Sequence, residues 1–414
     1  MTIVLKLPPR HGGLRRTAAF TLLAVDVVTL IGASAAPTPL YELYQSQWGF
    51  TPLESTLVFG IYAASLLLAL LTTGSLSDYI GRRPVLLTAL AFEAASMIAF
   101  ASADGIGLLL VARVVQGFAT GAAISVLGAA LIDLERTPGR GATVNSIAAP
   151  MGLALGAIGS SLISEHLPRP TSTVFLVFVA LFALEIVGVC AIPETAVRRP
   201  GALASVRPTL AVPAGALHML LRAGPCLIAV WALGGFYLSL GPSLARTTLG
   251  VHSSLTGAIT VATLTGTGAV AVFLLRAAAP HQILSVGAAA LAAGVATTLA
   301  GAETTSSVTL LAGTAVAGVG FGAGFQGTIH TVMPLAQPHE RAGLLSSIYM
   351  IAYLANSVPA LIAGYFVGRI GLIDTARIYG GVVIALAGIG FGTALLPHGR
   401  ESAEPGARRK RSRV

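Results

Sequence analysis

Long apolar runs separated by short polar segments follow one another along almost the whole chain. A run must be about 20 residues long to cross the apolar core of a bilayer as a helix. The runs of that length lie at about 17–40, 53–76, 84–103, 106–131, 141–163, 172–192, 224–244, 255–275, 282–301, 307–330, 343–367 and 376–396. The strict alternation typical of strands does not occur in these runs. The pattern therefore predicts an all-α integral membrane protein with twelve transmembrane helices.

The runs fall into two sets of six, separated by a segment rich in Arg and Pro. We predict an N-terminal bundle at 1–195, a cytoplasmic linker at 196–215, a C-terminal bundle at 216–396 and a basic tail at 397–414. The start of the seventh span has a second interpretation, in which Val212 to Arg222 is an amphipathic lead-in along the membrane surface. A short repeat supports two pseudo-symmetric halves. At a constant offset, it pairs Arg140, Ser146 and Ile147 with Arg341, Ser347 and Ile348.

The first apolar run has two interpretations. Arg15 and Arg16 precede it, and Ala33 to Ala35 resembles a cleavage site, as in a secretory signal peptide. Asp26 interrupts the run where a signal core is uninterrupted. We therefore interpret the run as the first transmembrane helix.

Composition and charge agree with a membrane protein. The 414 residues are 55% hydrophobic and only 10% charged. The net charge of +9 comes mainly from Lys and Arg in loops on one side of the predicted membrane and in the tail. This asymmetry follows the positive-inside rule and indicates a membrane protein with both termini cytoplasmic, rather than a nucleic-acid-binding protein. The protein is expected to lie in a bacterial-type cell inner membrane. The two cysteines, Cys190 and Cys226, cannot make a disulfide framework or a four-ligand metal site.

The loop after the second run carries a specific motif. It reads G-S-L-S-D-Y-I-G-R-R and resembles the G-x-L-x-D-[RK]-x-G-[RK]-[RK] signature of the major facilitator superfamily. The matching residues are Gly74, Leu76, Asp78, Gly81, Arg82 and Arg83. Glycines permit a tight turn, and Asp78 is expected to face the positive N-terminus of a neighbouring helix. Tyr79 replaces the cation of the signature, and a loop that only sets topology is the alternative interpretation.

The fourth run carries a second motif of the same family. Arg113, Gln116 and Gly117 match R-x-x-Q-G and lie on one helical face. A rise of 1.5 Å per residue places Asp26 about 14 Å from one membrane surface and Arg113 about 10 to 12 Å from the other. These depths nearly meet, so we hypothesise that Asp26 exchanges protons and that its distance from Arg113 sets its proton affinity. A static buried ion pair is the alternative.

The second half offers a different set of polar and aromatic side chains. With Gln116, they are the predicted substrate cavity: Trp231, Tyr237, Gln326, Tyr349, Tyr353 and Asn356. Aromatic walls with a few amides suit a moderately hydrophobic solute. Glu93 and Glu185 also lie within apolar runs, but we expect them to contact neighbouring helices or to reach the interface.

The resemblance covers about Arg15 to Leu396 and implies a secondary active transporter that works by alternating access. Within the family, the chain looks most like bacterial exporters that exchange a drug or metabolite for protons. We expect a monomer that uses the proton gradient and needs no cofactor or metal. An importer or facilitator of a nutrient remains an alternative, as does a membrane-embedded receptor. An enzyme is not expected, because the intramembrane acids are scattered.

Overall fold

The computed structural model describes residues 16–208, 210–250, 253–337 and 339–395. The predicted all-α fold is confirmed, with twelve described helices that are long and apolar enough to span a membrane. They are α1 (Arg16–Ala35), α2 (Pro52–Thr73), α3 (Arg82–Ala101), α4 (Ile106–Leu134), α5 (Arg140–His166), α6 (Pro170–Ala191), α7 (Ala214–Ser239), α8 (Ser254–Leu275), α9 (Pro280–Glu303), α10 (Ser307–Val332), α11 (Arg341–Ile370) and α12 (Leu372–Leu395). The predicted basic tail and Arg15 lie outside the described residues.

Successive helices run in opposite directions between the two ends of the molecule. The end at which α1 begins is called the N-terminal face, and the other end the opposite face. At the N-terminal face, Arg16 Nε donates a hydrogen bond to the carbonyl of Leu134, the last residue of α4, at 3.1 Å. At the opposite face, Ser172 Oγ donates to the carbonyl of Ala101, the last residue of α3, at 2.9 Å. Odd-numbered helices therefore begin at the N-terminal face.

Each set of six helices has its own apolar core. One cluster of buried side chains extends in sequence from Ala19 to Ile192, and a second from Ala216 to Ala387. Each cluster is built from residues of one half of the chain. Movement of one half against the other therefore leaves both cores packed.

Helix α7 begins ten residues before the predicted seventh span. It is one helix from Ala214, with Pro225 inside it. Ala216 and Ala223 are fully buried, and Arg222 Nη2 donates to the carbonyl of Thr393 in α12 at 2.7 Å. The interpretation as a separate surface lead-in is therefore wrong. The polar residue that suggested a surface segment bonds to the neighbouring helix instead.

Glycines bring α1 and α5 into backbone contact. A Cβ added to Gly156 would overlap the backbone of Gly32, and one added to Gly152 would lie 2.6 Å from the carbonyl oxygen of Val28. By contrast, a Cβ at Gly159 on the same helix would meet nothing within 4 Å. The small residues of α5 thus serve helix packing at 152 and 156, as small residues commonly do in membrane bundles.

We expect Gly156→Ala to destabilise the protein by about 1–3 kcal/mol, because the added methyl group forces α1 and α5 apart. Thermal unfolding in detergent measures the effect. The matched control, Gly159→Ala, adds the same methyl group to the same helix and should leave the melting temperature unchanged. Equal melting temperatures for the two variants would contradict the tight helix crossing.

Candidate transport site

The signature loop forms an ionic cluster at the N-terminal face. Arg82 pairs with Asp78 one helical turn earlier, and its Nε lies 3.3 Å from Asp133 Oδ2 at the end of α4. Its Nη1 also donates to Ser77 Oγ at 2.6 Å. Thr195, which follows α6, donates to the same Asp133 oxygen at 2.9 Å. These bonds connect the α2–α3 loop with the ends of α4 and α6.

The first turn of α3 is capped by Glu194 and not by Asp78. Glu194 accepts hydrogen bonds from the backbone N–H groups of Arg82 at 2.8 Å and Arg83 at 3.1 Å. Gly81 has φ +109°, and a Cβ there would lie 2.6 Å from Glu194 Oε2. Glu194 thus occupies the α3 N-terminus while Asp78 pairs with Arg82, and the expectation that Asp78 faces the N-terminus of a neighbouring helix stays a prediction.

Asp26 lies inside the first half with no bonded partner. Its side chain is fully buried, and neither carboxylate oxygen has a hydrogen-bond partner. The charged group that acts on it electrostatically is Glu185 of α6, which is 5% exposed and lies beside Thr29. The expectation that Glu185 reaches the membrane interface is therefore wrong, because its side chain points into the bundle.

Arg113 is held by hydrogen bonds to α1 and to the short helix that follows it. Its Nη2 donates to the hydroxyl of Tyr41 at 2.6 Å, and its Nη1 donates to Gln116 Oε1 at 2.7 Å. The same Nη1 lies 3.1 Å from the carbonyl of Ser34, and Gln116 Nε2 donates to the carbonyl of Ala33 at 3.0 Å. The R-x-x-Q-G motif thus anchors α4 to the end of α1, with Arg113 only 1% exposed.

Asp26 and Arg113 lie at different depths. Arg113 bonds at the level of Ser34, and the eight residues between Asp26 and Ser34 correspond to about 12 Å along a helix. Side chains tilt toward the N-terminus of their helix. Because α1 and α4 run in opposite directions, this tilt moves the two charged ends further apart. The predicted match in depth is wrong, and the proton-coupling roles of the two residues stay predictions.

Glu93 is the acidic side chain in the neighbourhood of Arg113. It is fully buried, accepts a hydrogen bond from the hydroxyl of Thr120 in α4, and interacts electrostatically with Arg113. Its second oxygen has no hydrogen-bond partner. The guanidinium also lies 5.2 Å from the ring centre of Tyr62 and 5.5 Å from that of Phe100. Glu93 thus contacts a neighbouring helix, as the sequence predicted.

Four rings from three helices form an aromatic cluster in the second half: Trp231 of α7, Phe325 of α10, and Tyr349 and Tyr353 of α11. The ring centre of Trp231 lies 5.0 Å from that of Tyr353 and 5.4 Å from that of Phe325. In two further pairs, Phe325 with Tyr349 and Tyr349 with Tyr353, the ring centres are 6.2 and 6.3 Å apart. All four rings are half-buried, and Tyr353 packs against a cluster of the first half that consists of Tyr62, Ala63 and Leu66. The cluster therefore borders the space between the halves.

The other predicted cavity residues of the second half, Tyr237, Asn356 and Gln326, are not part of the aromatic cluster. Tyr237 bonds to Thr314 at 3.0 Å inside the second half, where it lines a small internal cavity. The carbonyl of Asn356 is so close to Gly235 that a Cβ there would overlap it. Gln326 follows Phe325 in α10, and its Nε2 donates to the carbonyl of Val272 at 3.3 Å. The structure therefore brings Trp231, Tyr349 and Tyr353 together but not Tyr237, and it places Asn356 in helix packing.

The two halves are joined by hydrogen bonds at the opposite face. Glu165 Oε1, near the end of α5, accepts from Ser253 Oγ at 2.5 Å and from Ser254 Oγ at 3.2 Å. It also accepts from the N–H of Leu255 at 3.1 Å, in the first turn of α8. One turn earlier on α5, Ser161 Oγ lies 2.7 Å from Ser254 Oγ. A carboxylate of one half thus caps a helix of the other, a placement that the helix dipole favours.

Further contacts close the same face. Thr38 Oγ1 donates to the carbonyl of Leu238 at 3.3 Å, which joins the end of α1 to the end of α7. Gly364 of α11 packs against Thr56 of α2 so tightly that a Cβ on the glycine would overlap the threonine hydroxyl. The described hydrogen bonds and backbone contacts between the halves therefore hold this conformation shut at the opposite face.

Comparison with protein families gives a match over most of the chain. The family model described as Major Facilitator Superfamily matches residues 23–360. The chain is 30% identical over 167 residues to the uncharacterized transporter YebQ of Escherichia coli, which covers 39% of this chain and 34% of that protein. It is 33% identical over 150 residues to the multidrug resistance protein MdtL of a Shewanella strain, with 35% and 36% covered. The chain thus aligns with about a third of the length of these curated relatives.

Two solved structures share the fold across nearly the whole chain. The human organic anion transporter MFSD10 (TETRAN) superposes with a TM-score of 0.65 at 19% identity, covering 91% of this chain and 100% of that one. The nucleoside transporter NupG superposes with a TM-score of 0.69 at 13% identity, covering 91% and 99%. At these identities the likeness establishes the fold alone.

Proposed function

The chain belongs to the Major Facilitator Superfamily and is a multi-pass membrane transporter, and we propose that it exports a small, moderately hydrophobic drug or metabolite in exchange for protons. In this proposal it works as a monomer by alternating access, with the proton gradient as its energy source and with no metal or cofactor. It lies in a bacterial-type inner membrane, and the Arg-rich N-terminal face is cytoplasmic.

The burial of Asp26 is the observation on which proton coupling rests. An ionised carboxylate with no hydrogen-bond donor or cation bonded to it is costly to bury. Neither Asp26 oxygen has a hydrogen-bond partner, so the carboxyl group is expected to carry a proton in this conformation. A change of conformation that admits water to Asp26 lets it release that proton. Proton binding and release are thereby tied to alternating access.

In this proposal Arg113 is a fixed cation and does not form a direct ion pair with Asp26. Its hydrogen bonds to Tyr41 and Gln116 fix a permanent positive charge between α1 and α4. A fixed cation inside a membrane bundle favours ionised carboxylates near it. We propose that Arg113 acts in this way on Glu93, with which it interacts, and that Asp26 exchanges its proton without a direct contact to the cation.

The aromatic cluster is the proposed solute site. Its four rings offer apolar faces, and the Trp231 Nε1 and Gln326 Oε1 atoms are buried without a hydrogen-bond partner. Aromatic walls with a few unpaired polar atoms are typical of sites for moderately hydrophobic ligands. Since the opposite face is closed here, solute enters or leaves the site through the N-terminal face in this conformation, and this is the face from which an exporter loads. MdtL, the relative named as a multidrug resistance protein, agrees with this direction.

Organic anions are a second candidate class of solute. The guanidinium of Arg113 lies 5.2 Å from the ring centre of Tyr62, and Tyr353 of the aromatic cluster packs against the apolar group that contains Tyr62. A cation near a binding site favours anionic ligands. The structural neighbour MFSD10 is named as an organic anion transporter.

Purified protein in sealed vesicles with an imposed pH gradient tests the function. The probes are ethidium as a cation, chloramphenicol as a neutral compound and 1-naphthoate as an anion. The proposal expects at least one probe to accumulate on the acidic side and the accumulation to collapse when a proton carrier dissipates the gradient. Movement of every probe that is independent of the gradient would instead make the protein a facilitator.

A further inference from the structure

Tyr62 of α2 lies between the buried charges of the first half and the aromatic cluster of the second. Its ring centre is 5.2 Å from the guanidinium carbon of Arg113. Tyr353 of α11 packs against the apolar group that Tyr62 forms with Ala63 and Leu66, and it interacts electrostatically with Tyr62. Tyr62 is 8% exposed, so both contacts are inside the molecule. A change in one cluster therefore reaches the other through this ring.

The position of Tyr62 is fixed by the backbone of α4. A Cβ added to Gly117 would overlap the carbonyl oxygen of Tyr62, and one added to Gly121 would lie 2.5 Å from that of Leu66. The two glycines therefore let α2 and α4 touch at backbone distance. Gly117 also belongs to the R-x-x-Q-G motif that carries Arg113, so the motif fixes the guanidinium and the Tyr62 backbone relative to each other.

The hydroxyl of Tyr62 reaches the proton-binding groups. It lies beside the side chains of Ser34 and Thr120. Thr120 donates its hydroxyl hydrogen to Glu93, whose other oxygen has no partner. A displacement of Tyr62 thus changes the surroundings of the one described hydrogen-bond donor that Glu93 has on α4.

The charged and titratable groups that face Glu93 come from three neighbouring helices. Arg113 of α4 interacts favourably with its ionised form, whereas Glu185 of α6 opposes it. Tyr62 of α2 is coupled to it electrostatically as well. Asp26 of α1 interacts electrostatically with Glu185.

We propose that Tyr62 is a positioning residue that links the protonation of Glu93 to the arrangement of the aromatic cluster. The inference rests on the proposed function, because Glu93 and the proton-exchanging Asp26 both interact electrostatically with Glu185, so that Tyr62 connects this group of acids with the solute site. A solute inserted between Tyr353 and Trp231 displaces Tyr62 and with it the hydroxyl of Thr120. By reciprocity, a change in the charge of Glu93 moves the rings of the cluster.

The chain offers a test that needs no solute, because Trp48 and Trp231 are its only tryptophans. Trp48 stacks on Tyr44 at 4.6 Å, away from the cluster, so Trp48→Phe leaves Trp231 as the single reporter. The emission of Trp231 is recorded in detergent from about pH 5 to about pH 9. We expect the Trp231 emission to show a transition as the pH changes. Glu93→Gln, introduced into the Trp48→Phe protein, is expected to reduce the amplitude of this transition to about a tenth.

Two variants of Tyr62 separate the ring from its hydroxyl. Tyr62→Ala removes the link and is expected to abolish the transition. Tyr62→Phe keeps the packing on Tyr353 and loses only the hydroxyl next to Thr120, so it is expected to reduce the amplitude by about half or more. Circular dichroism of the helices and thermal unfolding identify any variant that fails to fold. If Tyr62→Ala fails to fold, the result for Tyr62→Phe decides whether the inference holds.

Two matched controls are expected to keep the full transition. Tyr365→Ala removes a ring from an exposed position on α11, and His330→Gln removes an exposed titratable group from α10. A transition that persists unchanged in Tyr62→Phe, or that is lost in His330→Gln but not in Glu93→Gln, would overturn the inference. So would its absence from the Trp48→Phe protein. None of these results depends on solute movement in vesicles, so the inference and the proposed function fail separately.

Discussion

Asp26→Asn is expected to abolish proton-driven transport. The amide is close in size to the carboxyl group, so the substitution preserves packing in a site where both oxygens lack a hydrogen-bond partner. It removes the ability to bind and release a proton, and we expect accumulation against a solute gradient to fall to no more than about a tenth of the level of the unmodified protein. Solute equilibration down its own gradient should continue, because alternating access does not need the proton in that direction.

Asp104→Asn is the matched control. Asp104 lies exposed between α3 and α4, so the same chemical change there should leave accumulation unchanged. Both variants are measured in vesicles with the same imposed pH gradient and the same protein density. Full accumulation by Asp26→Asn would remove Asp26 from the mechanism, and equal losses in the two variants would point to a general effect of the substitution.

A disulfide between α5 and α8 is expected to lock the protein shut at the opposite face. The hydroxyl oxygens of Ser161 and Ser254 are 2.7 Å apart, so cysteines at these positions can meet without a large backbone movement. The native cysteines are first removed by Cys190→Ser and Cys226→Ala, and Ser161→Cys and Ser254→Cys are then introduced together. Oxidation of this protein should reduce transport by at least about tenfold, because a cycle of alternating access must separate α5 from α8.

The locked protein carries its own control. A reducing agent breaks the disulfide and should restore transport in the same vesicles, whereas each single cysteine variant should be insensitive to oxidation. Mass spectrometry under oxidising conditions establishes that the bond has formed. If the cross-linked protein transports as fast as the protein whose disulfide has been broken, α5 and α8 stay together during transport. The opposite face then does not open between them.

The spans could be predicted because hydrocarbon leaves few choices. Backbone groups in a bilayer must bond within the segment, so long apolar runs become helices. The error at α7 arose from polar residues at its beginning. Arg222 reads as a surface residue in the sequence, yet it bonds to the backbone of Thr393 in α12. No local pattern reports such a contact between distant parts of the chain.

The depth of Asp26 and Arg113 was mispredicted for a geometric reason. Counting residues places Cα atoms, but each side chain extends several ångströms toward the N-terminus of its helix. In antiparallel helices these displacements have opposite signs. The bond from Arg113 to the carbonyl of Ser34 shows the result. Including helix direction in the count would have found the difference.

The contacts of Tyr62 and Glu165 carry no signal that sequence reasoning could use. Tyr62 is one of several aromatic residues in apolar runs, and its importance comes from facing Arg113 on one side and Tyr353 on the other. Glu165 ends a transmembrane helix, where an acid is unremarkable, and its bonds are to residues about 90 positions away in the sequence. The proximity of Tyr349 and Tyr353 could be predicted, because residues four positions apart lie on one face of a helix, and the role of these rings in solute binding stays a prediction.

Proton movement driven by a solute gradient is the most direct test of exchange. Vesicles containing the protein and an internal pH indicator are prepared without a pH gradient, and the transported probe is then added on one side. Exchange predicts that protons leave the compartment that the solute enters, at a rate that follows solute uptake, and that Asp26→Asn takes up solute without moving protons. Solute uptake by the unmodified protein with no change in internal pH would contradict coupling.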